Sequence, residues 1–313
     1  MTPRVLKLGT RGSKLALAQA HAVKLQLEKL HPGQAVEIVP IKTSGDRGQR
    51  EVLGAFVREI QQAILSGEVD AGLHCLKDLP VEDVPGLSFA AFLEREDPRE
   101  AFIGADLMRL PPGAVVGTGS VRRTSQLRAV RPDLVFRPIM GNVDTRLGKL
   151  VAAEYDAIVL AVAGLKRMGW GNWPESPHGS LPLSVLSVET VLPAPAQAVL
   201  VIEVRSDDSV TQEACRGMHH APTEVAARAE RAFLKGFGGG CSVPVAALAE
   251  VPQDLRLEGL VAAPDGSKVL RGHSSGPAGD WQRVAQDLVD DLAAQGARSM
   301  FEPAPALAGG VEH

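Results

Sequence analysis

Residues 236–245 read GFGGGCSVPV: a glycine run, one cysteine, then the start of an apolar strand. Glycine widens the backbone's φ/ψ range and leaves space beside the thiol, so Cys241 could carry a bulky group on its sulfur. The plainer reading is a turn in which a small cysteine packs half-buried. LHCLKDLP (73–80) ends a strand with Lys77 beside Asp78, followed by a proline. Neighbouring side chains at a strand end point to opposite sides unless the chain turns, which predicts that one of the pair faces a cleft. A carboxylate there can stabilise a cation or exchange a proton, whereas a solvated strand–loop junction would need neither. In VVGTGSVRRTSQLR (115–128), Gly117, Thr118, Gly119 and Ser120 lie between a strand and a helix start. Their N–H groups and hydroxyls would form an anion pocket at the positive end of the helix. Arg122 and Arg123 occupy the first turn, where the dipole disfavours cations, so a compensating anion is expected; a solvated basic face is the alternative. GTRGSK (9–14) repeats the design with Arg11 and Ser13, and GNVDTRL (141–147) supplies Arg146. Three such junctions around one cleft suit a ligand with several carboxylates or phosphates.

These residues need elements to hold them, and hydrophobic spacing supplies candidates. RVLKLGT, AVEIVPI, VDAGLHCL, AVVGTGS, LVFRPI and DAIVLAVAGL read as strands. Between them SKLALAQAHAVKLQLEKLH, behind a Ser13 N-cap, and AFVREIQQAIL have helical spacing, as do segments from about Val121 and near 143–153. Strand–helix alternation predicts mostly parallel sheets with helical cover, whose ligands sit at the carboxyl ends of strands. LEREDPREAF (93–102) and LSVETVLPAPAQ (186–197) carry Pro and charge between apolar strands and read as two crossings between lobes. From about residue 215 the pattern becomes helix, three strand-like runs and a final helix near 280–296, a smaller α+β domain. EPAPALAGGVEH is Pro/Ala/Gly-rich and reads as a disordered tail.

The 313 residues are 45% hydrophobic and 22% charged, enough for two or three domains with real cores. No apolar run reaches a membrane span, and the N-terminal twenty residues lack an apolar core with a cleavage site, which predicts a cytoplasmic protein. Cys75, Cys215 and Cys241 are odd in number and far apart, so neither a disulfide framework nor a metal site is expected. A net charge of −4 gives no general nucleic-acid surface. Arginine outnumbers lysine 23 to 10, and its planar fork matches carboxylates and phosphates.

Taken in order, GTRGSKLALAQA, LHCLKDLPVE, EREDPREAF, VVGTGSVRRTSQL, GNVDTRLGKL, YDAIVLAVAGLKRMG, HHAPTEVAARAERAF and GGGCSVPV resemble the hydroxymethylbilane synthase (porphobilinogen deaminase) family. The resemblance runs from about residue 4 to 300. It implies an α/β fold with two periplasmic-binding-protein-like lobes, each on a mostly parallel sheet, plus the smaller α+β domain. The domains would be 1–95 with 193–213, 96–192, and 214–302, leaving 303–313 as the tail. It further implies a cytoplasmic transferase that joins four porphobilinogen molecules into 1-hydroxymethylbilane with loss of ammonia. Growth would occur on a dipyrromethane cofactor held by a thioether to Cys241. Asp78 matches the family's catalytic carboxylate. Arg11, Ser13, Lys77, Thr118, Ser120, Arg122, Arg123, Arg146 and Arg167 match residues that bind acetate and propionate groups, and Gln197 lies in the matching cleft segment. A monomer is expected, because no exposed heptad or long apolar edge invites association.

The chain departs from the family pattern in five places. Met140 replaces the arginine usual before GN, which removes a carboxylate contact and bears on the growth of longer chains. TSGDRGQREVLGAFVREI is shorter than the usual lid and lacks its lysine-bearing GGKG piece. Ala196 and Ala198 flank Gln197 where glycines are usual, and Cys75 and Gly119 stand where serines are common. These departures leave a catalytically impaired member of the family as the alternative. A two-lobed anion-binding protein is another, although it would not explain GGGCSVPV.

Overall fold

The computed structural model describes residues 5–43, 57–239 and 243–300. In chain order, the first lobe begins with β1 (Leu6–Arg11), α1 (Lys14–Leu30), β2 (Val36–Ile41), α2 (Arg58–Leu65), β3 (Ala71–Cys75) and β4 (Leu87–Phe92). The second lobe holds β5 (Glu100–Ile103), β6 (Val115–Gly117), α3 (Val121–Val130) and β7 (Val135–Arg137). It continues through α4 (Val143–Val151), β8 (Ala157–Ala161), α5 (Val162–Arg167) and β9 (Leu183–Leu186). The chain then returns to the first lobe with β10 (Leu200–Arg205) and α6 (Ser209–Cys215). It ends in a third unit of α7 (Ala221–Gly236), β11 (Val245–Glu250), β12 (Leu255–Ala262), β13 (Val269–Gly276) and α8 (Trp281–Ala294).

Each lobe has a five-stranded sheet, ordered β2-β1-β3-β10-β4 and β7-β6-β8-β5-β9. β1 runs parallel to β2 and β3, and β6 parallel to β7 and β8. The strands next to the crossings, β10 and β5, run against their neighbours. The mostly parallel α/β lobes expected from the strand–helix alternation are therefore present, and each sheet carries one reversed strand where the chain changes lobe. The third sheet, β11-β12-β13, is antiparallel with α7 and α8 on one face.

The second sheet shows why the alternation reads so clearly. Phe102, Val116 and Val159 pack to one face, while Ala101, Ile103, Ile158 and Leu160 pack to the other. A sheet buried on both faces needs unbroken apolar strands, as in AIVLA. β5, only four residues long, hid from sequence reading inside the charged run 93–102. Its first residue, Glu100, is fully buried, a position that an unpaired carboxylate would not tolerate. The first crossing thus shortens to 93–99, and the second shifts to 187–199. Among the described residues, no helix is long and apolar enough to cross a membrane.

α4 ends with Ala153 at φ 58°, in the left-handed region. Ala153 N–H donates to the Leu150 carbonyl (2.9 Å) and Glu154 N–H to that of Lys149 (3.0 Å), the paired closure that favours glycine at this position. Ala153 is exposed, so its methyl group contributes little packing. Ala153→Gly is predicted to raise stability by about 0.5–1 kcal/mol, read as a higher urea midpoint at unchanged slope. A lower midpoint would contradict this.

Candidate active site

A cavity of about 240 Å³ opens between the lobes at the carboxyl ends of β1, β3 and β8. β3 stops at Cys75, and Leu76–Asp78 form a single 3₁₀ turn. Pro80 explains its end, since a residue before proline is pushed to extended geometry and Leu79 sits at φ −80°, ψ 136°. The turn rotates successive side chains by about 120°, so Lys77 and Asp78 both line the cavity, where an extended strand would present only one. Asp78 is exposed to the cleft and Lys77 is half-buried. Lys77 Nζ donates to Gln197 Oε1 at 3.0 Å, and Gln197 Nε2 donates to the Pro98 carbonyl at 2.7 Å. Gln197, 1% exposed, therefore holds Lys77 from behind. Burial lowers the Lys77 amine from its usual range, while neighbouring Asp78 pulls it back up. Burial, with Asp78 adding to it, raises the Cys75 thiol, so that sulfur is a poor nucleophile.

The glycine–hydroxyl junction before α3 differs from expectation. Ser120 Oγ accepts the Arg123 N–H as N-cap, and Thr118 Oγ1 accepts the Ser120 N–H. Both hydroxyls thus serve the helix start, and neither residue lines the cavity. The anion expected to compensate Arg122 and Arg123 is the chain's own Glu100. Its two oxygens take Arg122 Nη2 at 2.5 Å and Arg123 Nη2 at 2.6 Å. Arg122 Nη1 donates to Leu192 O (2.7 Å) and Arg123 Nη1 to Val159 O (3.0 Å). Both arginines are over 90% buried, at 6% and 7% exposure. Arg122 is accordingly absent from the cavity wall, a correction to the sequence expectation. Arg123 remains in that wall, with its buried Nε–H unpartnered. Burial alone would raise the Glu100 carboxyl. The Arg123 and Arg122 charges and their hydrogen bonds reverse this and bring it down to about 2.

Arg11 and Ser13, Arg146 and Arg167 also line the cavity from opposite lobes. Ser13 caps α1, Arg146 Nε donates to Gly141 O (2.9 Å), and Arg167 Nη2 donates to Ala198 O (2.5 Å). Lys14 Nζ approaches Asp144 Oδ2 at 3.6 Å across the mouth. Sequence reading passed over both of those residues, because their pairing joins segments about 130 positions apart. Six cationic side chains face two carboxylates in the described wall, although the whole chain carries −4. Such a cleft is suited to a polyanion. Cys241 and most of the shortened lid segment lie outside the described residues. Among the described residues, no cluster of His, Cys, Asp and Glu is arranged to hold a metal ion.

Residues 6–213 match the family model described as porphobilinogen deaminase, dipyromethane cofactor binding domain; residues 225–294 match its C-terminal domain. A relative described as porphobilinogen deaminase, from Thermus thermophilus, is 47% identical over 306 residues. That alignment covers 95% of this chain and 98% of the relative. A solved ligand-binding component of an ABC-type import system from Staphylococcus aureus, with zinc bound, superposes with a TM-score of 0.40 and 12% identity, covering 75% of each chain. The periplasmic sulfonate-binding protein SsuA from Methylobacillus flagellatus KT gives a TM-score of 0.37 at 14% identity, over 72% of this chain and 67% of that one.

Glu100→Gln would leave two buried guanidinium charges facing a neutral amide and is predicted to cost about 3–5 kcal/mol. The Glu100 carboxyl has a lower pKa folded, about 2, than its ordinary 4.5. Its contribution is therefore complete above about pH 4.5 and is lost as pH falls towards 2. Urea denaturation over that acid range should show a loss of stability that Glu100→Gln lacks. Parallel acid profiles for the two proteins would contradict the assignment.

Proposed function

Since this chain belongs to the porphobilinogen deaminase family, we propose that its inter-lobe cleft joins porphobilinogen units through the carboxylate of Asp78. The family's reaction is the transfer that builds 1-hydroxymethylbilane from four porphobilinogen molecules in tetrapyrrole biosynthesis, with a dipyrromethane cofactor. Bound through a thioether to Cys241, that cofactor supplies the nucleophilic pyrrole carbon on which the chain grows.

The observation that carries this reading is the 3₁₀ turn that brings both Lys77 and Asp78 to a cationic cleft. Porphobilinogen carries an acetate, a propionate and an aminomethyl group. Arg11, Arg146 and Arg167, with the Ser13 hydroxyl, are placed to take the carboxylates through charge-assisted hydrogen bonds. Departure of ammonia breaks the carbon–nitrogen bond, with the electron pair leaving on nitrogen. The substrate becomes an azafulvenium cation whose charge is shared by the pyrrole N–H. The protonated aminomethyl group leaves as ammonia, the fixed Asp78 carboxylate stabilises the cation left behind, and the same carboxylate can accept the proton released when the new carbon–carbon bond forms. Lys77, held by Gln197, presents its amine to the cleft. Thr118, Ser120 and Arg122 lie outside the cavity lining and would support its wall.

The same reading divides the chain into 1–95 with 193–213, 96–192, and 214–302, supported by the membership of the three sheets. It also makes the protein a cytoplasmic monomer.

Cys241 is proposed as the attachment point because the other two thiols are disfavoured. Burial raises the Cys75 thiol, and burial, with a smaller push from Asp208, raises fully buried Cys215 to about 12. Cys241→Ser is predicted to abolish normal cofactor attachment, whereas Cys75→Ser and Cys215→Ala retain it. Peptide mapping that places the adduct on either of those residues would overturn the assignment. Asp78→Asn should lower turnover by about 10²-fold or more, about 3 kcal/mol of barrier, with the fold intact. Near-normal turnover in Asp78→Asn would sink the catalytic role.

A further inference from the structure

We infer that Arg231, on the third unit's α7, is a positioning residue that fixes the Lys77–Asp78 turn against that helix. The inference rests on the catalytic reading of Asp78 above.

A short 3₁₀ turn leaves carbonyls at its end without internal partners, and Pro80 offers no N–H to continue the pattern. Arg231 meets that need from another domain. Its Nη2 donates to the Pro80 carbonyl at 2.7 Å, and its Nη1 to that of Leu79 at 3.2 Å, with Leu76 O at 3.5 Å. One planar fork thus grips the first residue of the turn and the two residues that follow it. A rigid fork constrains direction as well as distance, which a single flexible ammonium cannot do.

The grip continues along the same face of α7 at intervals of four residues. Lys235 Nζ pairs with Glu82 at 3.0 Å. Gly239, just beyond the helix at φ +70°, packs so closely on Val81 that a Cβ there would stand 2.7 Å from Val81 Cγ2. Residues 231, 235 and 239 therefore track residues 76–82, and Cys241 follows Gly239 by two positions in the sequence. Asp78 faces the cleft from one side of this loop, while the arginine holds the loop's backbone from the other. Nothing in the bond-making steps requires Arg231 to touch substrate. Its effect is on where the carboxylate stands.

The test compares Arg231→Gln and Arg231→Lys with wild type as holoenzymes, measuring kcat and KM for porphobilinogen, Tm and intact mass. The cofactor adduct should persist, KM should stay within about twofold, and kcat should fall about tenfold or more in Arg231→Gln, since small misplacements of a reacting group are costly. Arg231→Lys, which keeps the charge but loses the fork, should recover only part of kcat while its Tm stays near wild type. A kcat within about twofold of wild type in Arg231→Gln would overturn the inference. So would full kcat in Arg231→Lys, because charge or stability alone would then suffice. If Arg231→Gln fails to fold, Arg231→Lys decides by the same criterion. Asp78→Asn, assayed alongside, separates the two claims. Normal turnover there overturns the catalytic reading and this inference together. An inactive Asp78→Asn beside fully active Arg231 variants overturns the positioning role alone.

Discussion

Two buried carboxylates hold the chain's two crossings between lobes, and the cleft depends on them. Glu100, where the first crossing enters β5, takes Arg122 and Arg123, and Arg122 in turn holds Leu192 O in the second crossing. Glu230 on α7 takes Arg95 of the first crossing with both oxygens, at 2.5 and 2.9 Å. The same carboxylate accepts the N–H groups of Ala196 and Ala249, each at 2.6 Å. Both glutamates are fully buried. Removing either would strand buried charge at a cost of about 3–5 kcal/mol, a large share of a domain's net stability. The crossings are thus anchored by two arginine–carboxylate forks, one inside the second lobe and one to the third unit, while the cleft wall keeps an excess of positive charge.

That arrangement extends to the strained piece of backbone beside the site. Ala196 and Ala198 sit at φ 62° and 70°, where an alanine costs about 1–2 kcal/mol relative to ordinary helical or extended geometry. Contacts from every side hold them there: Glu230 on Ala196 N, Arg95 Nε on Gln197 O, and Arg167 on Ala198 O. The result aims the Gln197 side chain at Lys77. Alanine holds this conformation at both positions. The two alanines therefore read as added rigidity in the crossing and leave Lys77 in place.

Much of the site was legible because its residues lie at strand–helix junctions, where local spacing alone predicts what faces a cleft. Arg11, Ser13 and Arg146 line the cavity for that reason, whereas Arg167, the last residue of α5, came only from the family resemblance. The partners that decide charge state and orientation were not legible. Glu100 is 22 residues from Arg122, and Arg231 is 151 from Pro80 in the loop it holds. Arg122 read as a ligand contact because a helix N-terminus with two arginines calls for an anion, and sequence spacing could not say that the anion was internal. Asp78 and Lys77 share the cavity because proline ends a 3₁₀ turn, a geometry that a strand reading misses. Met140, 51% exposed, stands at the surface, outside the described cavity wall.

The central claim is that this cleft grows a covalent chain of pyrroles on the protein itself. Intact-mass spectrometry of the wild-type protein, purified and then mixed with limiting porphobilinogen, tests it directly. The expected starting mass lies two linked pyrrole units above that of the polypeptide. A ladder of further peaks should follow, each one porphobilinogen less ammonia, ending at four additions. A single unshifted mass that does not change on adding substrate would contradict it.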